Sequence, residues 1–309
     1  MQRLFRYLQG KSKDKKSEGT IRATILSSYF AQRYLPNIEN LSQKPATSKL
    51  PEIIWQFWDN PEGKTTPEVV QASFKSVEKF RGDFERKLLN NSNIENYSDL
   101  PGYILDKFKK KQIGYAHFSD LLRLNLLKNH GGVWLDATGY MTDFVPKYII
   151  DRDFFVFLTD EQSGFPYTFM QNCFIRAKKN SFLCEAWYNI CIDFWKNETK
   201  ALDYFQHQLM FKTLVFKNQT AQELFAKMPH ISEQETHQVL ACNYLFQKFD
   251  ANEWERIKKV SFFQKLTYKK NGNIWTNVSD YPDTFLSKLC ENRYQKDKKI
   301  TLINNLLTD

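Results

Sequence analysis

Residues 116–140 read AHFSDLLRLNLLKNHGGVWLDATGY. The first half is rich in leucine, and apolar residues at Phe118, Leu121, Leu122, Leu124 and Leu127 follow a helical spacing. A helix is therefore predicted over 115–129. Gly131 and Gly132 follow, where residues that end a helix belong. The next run, VWLDAT (133–138), reads as a strand that ends on a polar residue. A helix that turns through two glycines into a strand argues for an α/β sandwich with a largely parallel sheet.

The flanking sequence extends this pattern. Upstream, IIWQFWD (53–59) is a short β-branched and aromatic run that reads as a buried strand. Asp59, Asn60, Pro61 and Gly63 then make a loop. Helical spacing runs from Pro67 to Phe80, a strand is predicted at 84–89, and a helix opens at Pro101. Downstream, strands are predicted at 153–159 and 170–176. Helices are predicted at 181–196, opening on a Ser181 cap, and at 202–216. Helical pieces continue to about Lys248. A strand-like LTY (266–268) and a turn at Gly272 precede Trp275.

The composition is that of a folded domain, with 42% hydrophobic and 26% charged residues. A formal net charge of +9 points first to nucleic acid, but no zinc-finger spacing, RNA-binding signature or long arginine stripe accompanies it. A basic cleft for a nucleoside diphosphate, or a basic surface for anionic lipid, fits the same number. Cys173, Cys184, Cys191, Cys242 and Cys290 match no zinc-ligand pattern, and an odd count does not suit a disulfide framework, so reduced thiols in the cytoplasm are expected. No apolar run is long enough for a signal peptide or a membrane span. Residues 1–16 mix six basic residues with Leu4, Phe5, Tyr7 and Leu8, which reads either as an amphipathic helix on a membrane surface or as a solvated tail.

The chemistry concentrates in the opening stretch. His117, Asp120 and Arg123 are three apart and share one side of the predicted helix, with the leucines on the other. Alone, such a trio reads as a surface ion pair. The following strand, however, delivers Asp136 to its carboxyl end, where ligands bind in open α/β sheets. His207 and Asp203 sit on a later apolar helix, where they read as structural residues or as part of a ligand site. Asp160 and Glu161 follow a strand, and either carboxylate could serve as a general base.

The 116–140 segment resembles the donor-site signature of glycosyltransferases with the GT-A fold. It is most similar to bacterial capsular polysaccharide synthesis glycosyltransferases, and also to the group that holds the yeast Golgi mannosyltransferases and the clostridial glucosylating toxins. The shared pattern is a Ser-Asp-x-x-Arg helix, a Gly-Gly pair, an aromatic-Leu-Asp strand and a second acid two positions on. PEIIWQFW (51–58) resembles the first strand of that fold. Weaker similarity runs through QNCFIRAKKNSFL, DYFQHQLMF and KLTYK. The resemblance implies a Rossmann-like nucleotide-sugar-binding sandwich with a mainly parallel sheet and C-terminal helical additions. It implies transfer of a hexose from a nucleoside diphosphate, UDP above all, to a lipid-linked or oligosaccharide acceptor.

The same resemblance implies site roles. Asp120 contacts the ribose or donor sugar, Arg123 binds the donor sugar, and Asp136 is the first acid of the Asp-x-Asp motif. Trp55 and Gln56 meet the base, and Asn172 lies over the donor sugar. Thr138 departs from the pattern, because the second acid usually binds the metal. A weak Mn²⁺ or Mg²⁺ site on Asp136, completed by phosphates and waters, is one expectation. Neutralisation of the diphosphate by Lys265 or Lys269 is the other. The expected organisation is a basic arm over 1–47, a transferase domain over 48–250 and an extension over 251–309 that completes the donor site. The chain is placed in the cytoplasm, with peripheral contact to the inner face of the cell membrane. The rival readings are a non-catalytic partner of another glycosyltransferase, motivated by Thr138, and a nucleic-acid-binding protein, motivated by charge.

Overall fold

A computed structural model describes residues 15–48, 52–60, 63–233, 240–270, 274–275 and 277–291. The proposed amphipathic stretch 1–14, the side chains of Lys15, Lys16 and Cys242, and the turn at Gly272 lie outside the described residues. The main helices are α1 (Lys15–Arg33), α2 (Glu68–Phe80), α3 (Gly102–Lys109), α4 (Tyr115–His130), α5 (Phe182–Asn197), α6 (Gln206–Lys217), α7 (Ala251–Val260) and α8 (Phe285–Cys290). The main strands are β1 (Ile53–Phe57), β2 (Glu85–Leu89), β3 (Gly132–Leu135), β4 (Gly139–Met141), β5 (Phe154–Leu158), β6 (Met170–Ala177) and β7 (Phe263–Lys265). No helix among the described residues is long and apolar enough to cross a membrane. Two compact units interleave along the chain. One draws on 1–59, 81–136 and 144–236, the other on 60–80, 137–143 and 237–309.

The first unit is built on a five-stranded sheet in the order β2-β1-β3-β6-β5. Strands β2, β1 and β3 pair in parallel, whereas β6 is antiparallel to both β3 and β5. Only β6 therefore runs against the common direction. Strands β1 and β3 are buried on both faces, which suits their unbroken apolar and aromatic sequence. Because β6 is reversed, its first residues lie at the carboxyl end of β3. Leu135 pairs with Phe174, and Asp136 N–H donates to the Cys173 carbonyl at 2.9 Å.

Helix α4 reaches β3 through Gly131 alone. Gly131 has φ +72° and Gly132 has φ +107°, conformations that L side chains rarely adopt. Space is as restrictive as conformation. A Cβ on Gly132 would sit 2.2 Å from the Ile53 carbonyl oxygen, and one on Gly131 would sit 2.7 Å from the Lys179 nitrogen. Helix α4 differs from its expected two-sided character. Phe118 and every residue from Asp120 to Leu127 are buried, the charged ones included. The far end of the sheet is tied by Arg176, itself fully buried. Its guanidinium donates to Glu52 at 2.7 Å and to the carbonyls of Ile150, Gly132 and Ala177.

Several boundaries differ from the sequence reading for local reasons. Helix α6 begins at Gln206, not 202, because Asp203 folds back to accept from the Phe205 N–H at 2.7 Å. Ser181 occupies the cap position of α5 without a side-chain cap bond. In the second unit the strand lies at Phe263–Lys265, ahead of the expected LTY. It pairs antiparallel with β4, and Leu266 instead enters an apolar cluster with Val69, Tyr140, Ile257 and Phe285.

The glycine junction predicts a large asymmetry between substitutions. Gly132→Ala is expected to lower unfolding free energy by about 2–4 kcal/mol, since backbone atoms on β1 cannot yield as a flexible side chain would. Gly102→Ala, with open space around its Cβ position, should be neutral or stabilising by up to about 1 kcal/mol. Urea denaturation of both variants measures the contrast.

Candidate functional site

Four elements of the first unit bring polar side chains to the carboxyl end of β3. Helix α4 supplies Ser119, Asp120 and Arg123, the exit of β3 supplies Asp136, the start of β6 supplies Asn172, and α6 supplies His207. Arg123 is the centre. Its Nη1 donates to the Asn172 carbonyl at 2.7 Å, and its Nη2 lies 3.2 Å from Asp120 Oδ1 and 3.5 Å from Asp136 Oδ1. Its Nε and Nη2 donate to the carbonyl and hydroxyl of Ser119, one helical turn back, each at 3.2 Å. The guanidinium also lies 5.1 Å from the Trp134 ring centroid. Trp134 Nε1 donates to Asp136 Oδ1 at 2.9 Å, and Asn172 Nδ2 donates to Asp120 Oδ1 at 2.8 Å.

Exposure ranks these groups. The Arg123 side chain is 5% exposed and that of Asp120 10%, whereas Asp136 is 24% exposed. Asp136 is thus the carboxylate that meets solvent, with the other two behind it. Burial works against charge on Asp120, but its cationic neighbours, with His207 and Arg123 the strongest, more than offset this and hold it at about 2. Burial also pushes the His207 imidazole down to about 3, against the pull of Asp120. A neutral imidazole has no charge to give at pH 7, so the permanent Arg123 guanidinium is the partner that keeps Asp120 ionised. His207 packs against Trp187 in a tilted arrangement with ring centroids 4.2 Å apart, and its Nε2 is buried without a hydrogen-bond partner.

Asp120, Arg123, Asp136 and Asn172 are therefore brought together, and His207 joins them from the inner side, with Nδ1 3.3 Å from Asn172 Nδ2. Trp55 and Gln56 lie on the neighbouring strand and are fully buried. Trp55 pairs in register with Trp134 and donates from its indole to the Gly131 carbonyl, while Gln56 accepts from Arg86 at 2.7 Å. Asp203 is committed to α1 through Arg22 at 3.2 Å. Asp160 accepts from Gln162 and Ser163 N–H groups in a turn and bonds to Ser232, and Glu161 beside it is exposed. Ser119 and Trp134 were missed as site residues. Both stand within the quoted signature, as the serine of Ser-Asp-x-x-Arg and the aromatic residue of the aromatic-Leu-Asp strand, one turn before Arg123 and two strand positions before Asp136.

Thr138 and Lys265 belong to the second unit. There the Lys265 ammonium donates to the Thr138 hydroxyl at 2.7 Å, and Leu266 N–H donates to the Thr138 carbonyl. Lys269 follows in a short strand, Lys269–Lys270. A cation held on the hydroxyl that stands in place of the second acid disfavours a divalent ion at that position. Among the described residues, no group of three or more His, Cys, Asp or Glu could hold a metal. The cysteines Cys184, Cys191 and Cys290 are free thiols.

The site and sheet define an α/β protein with an Asp–Arg–Asp cluster at the carboxyl end of a central strand. The profile of the family described as capsular polysaccharide synthesis protein matches residues 3–289, and the chain belongs to that family. The O-glycosyltransferase braB of Annulohypoxylon truncatum is 25% identical over 183 residues, covering 55% of this chain and 43% of the relative. The chain thus spans less than half the length of that relative. The solved structure of the PaToxG glycosyltransferase aligns over 80% of this chain and 99% of its own, at 14% identity and a TM-score of 0.39.

The buried imidazole sets a pH dependence. Unfolded His207 takes up a proton near 6.5, whereas the folded ring does so only near 3. The unfolded state therefore binds more protons between these values, and stability falls as pH drops from about 6.5 towards 3. His207→Gln is expected to flatten this part of the curve, read as unfolding midpoint against pH. An unchanged slope would show that His207 is not the titrating group.

Proposed function

We propose that this chain is a glycosyltransferase that moves a hexose from a nucleoside diphosphate, UDP in the first instance, to a hydroxyl of a glycan acceptor. Membership of the capsular polysaccharide synthesis family supports a role in building a surface glycan, and the name of the fungal relative supports sugar transfer. We read the sheet, with one reversed strand and polar groups at the carboxyl end, as a GT-A arrangement. The +9 charge supports a lipid-linked acceptor at the inner face of a bacterial membrane.

The observation that carries the reading is the Arg123 guanidinium, fixed between two carboxylates and a tryptophan face where β3 ends. In transfer, the bond from the anomeric carbon to the diphosphate breaks and its electron pair leaves with the diphosphate. The acceptor oxygen forms the new bond and gives up its proton to solvent water. Positive charge develops on the sugar ring, and negative charge on the leaving oxygen. Groups whose orientation is already fixed, in a site with little water, stabilise such charge without reorganising. Asp136, the carboxylate of the cluster that reaches solvent, accepts hydrogen bonds from donor hydroxyls. Asp120 and Asn172 hold the Arg123 head behind Asp136, so that its charge acts on the donor from a fixed place. No step is assigned to a divalent ion.

Purified protein is to be titrated by calorimetry with a panel of UDP- and GDP-sugars, with and without Mn²⁺, and donor hydrolysis followed in parallel. One UDP-hexose is expected to bind and turn over, with metal changing its affinity by less than about tenfold, as weak outer contacts would. Arg123→Ala and Asp136→Asn should each lower turnover by at least about 100-fold, the scale of removing one fixed charge-stabilising group. Failure of every donor to bind would sink this reading and favour a non-catalytic partner, the alternative that Thr138 motivates.

A further inference from the structure

We infer that an exposed aromatic group beside His117 is the acceptor subsite, and that it takes a pyranose by its C–H face. This rests on the glycosyltransferase reading above. In the first unit, Tyr204 is 68% exposed and Phe165 is 50% exposed. They are joined through Phe205, whose ring lies 5.0 Å from Tyr204 and 4.7 Å from Phe165. Tyr204 also lies 6.2 Å from the His117 ring, and His117 Nδ1 lies 3.5 Å from Asp120 Oδ2. An unbroken line of side chains thus leads from the buried carboxylate of the donor cluster to two aromatic rings in solvent.

These rings are held in place. Asp203 accepts from the Phe205 N–H and is itself gripped by Arg22 of α1. Tyr167, beside Phe165 and Phe205, packs on α1 so closely that a Cβ on Gly19 would lie 2.2 Å from its ring. Lys212 of α6 donates to the Tyr167 carbonyl at 3.2 Å. Helix α1 therefore buttresses the back of the group, Tyr167 and Asp203, and leaves Tyr204 and Phe165 uncovered. Grouped exposed aromatics on braced segments, here the β5–β6 and α5–α6 connections, mark a binding surface more often than scattered ones do. Rigid rings with two side-chain torsions offer contact area at low ordering cost. An aromatic face next to hydroxyl and imidazole groups matches a sugar, which has an apolar C–H face and a polar rim. His117 then stands between the two substrates, where the acceptor hydroxyl approaches the donor.

The test reads the two substrates separately. Methyl pyranosides of glucose, galactose, mannose and N-acetylglucosamine are presented to the protein, and saturation-transfer NMR records which protons lie against it. Donor affinity is measured by calorimetry. The wild type is expected to transfer saturation to the C–H face of at least one pyranoside. Tyr204→Ala and Phe165→Ala should weaken that contact about tenfold, the scale of one aromatic contact, while Tyr204→Phe retains it and donor affinity holds within about twofold. Both Ala changes are at exposed positions, and thermal unfolding checks that the fold is kept. Absence of pyranoside contact in the wild type overturns the subsite. So does unchanged contact in both Ala variants. A parallel loss of donor affinity would assign the rings to the nucleotide base and overturn it equally. A wild type that binds a pyranoside but no donor would fail the transferase reading and leave the subsite standing.

Discussion

Helix α4 and strand β3 are separated by a single residue, and most of the first unit depends on that junction. Gly131 and Gly132 can turn the chain this sharply because neither carries a side chain, and the β1 carbonyl at Ile53 closes the space that one would need. With no loop to absorb error, the register of α4 against the sheet is fixed. Arg123 and Asp136 are thirteen positions apart, yet their charged atoms come within 3.5 Å. A longer connection would satisfy the same helix and strand propensities without placing the guanidinium over the end of β3.

A charge buried in this way has to be answered on every side. Arg123 is answered by two carboxylates, two backbone carbonyls and a hydroxyl, and by an indole face. Arg176 is answered in the same manner at the opposite end of the sheet, by Glu52 and three carbonyls. The two arginines brace β3 and β6 at both ends, which holds the reversed strand in register. The difference between them is instructive. At Arg176 the carboxylate partner is nearly as buried as the arginine. At Arg123 one partner, Asp136, reaches solvent, so that end can receive a ligand.

The electrostatic arrangement serves both stability and chemistry. Asp120 stays ionised because a permanent cation stands beside it, and His207 stays neutral because burial outweighs the attraction of Asp120. The inner layer of the site is thus set in one charge state across the physiological range. Only the outer layer, Asp136 and the aromatic rings beyond His117, reaches solvent.

The sequence by itself determined a good deal. Helical spacing, a glycine pair and β-branched runs depend on near neighbours, so α2, α4, β1, β5 and β6 were legible within a residue or two, while β3 stops at Leu135, three residues short of the expected end. The resemblance of 116–140 to a known signature also marked Asp120, Arg123 and Asp136 before any fold was known. What only the tertiary structure decided follows from contacts between distant parts of the chain. The reversal of β6, which carries Asn172 to the Arg123 cluster, is a choice of pairing partner that no local pattern encodes. The burial of α4 on all sides arises because sheet and helices enclose it, and its polar residues are satisfied inside instead of by water. The start of α6 is moved by an Asp203 bond that competes with the helix. Helix α1 meets Tyr167 and Asp203 across nearly the whole first unit. Propensity acts along the chain, whereas these constraints act across it, and the site is made of the second kind.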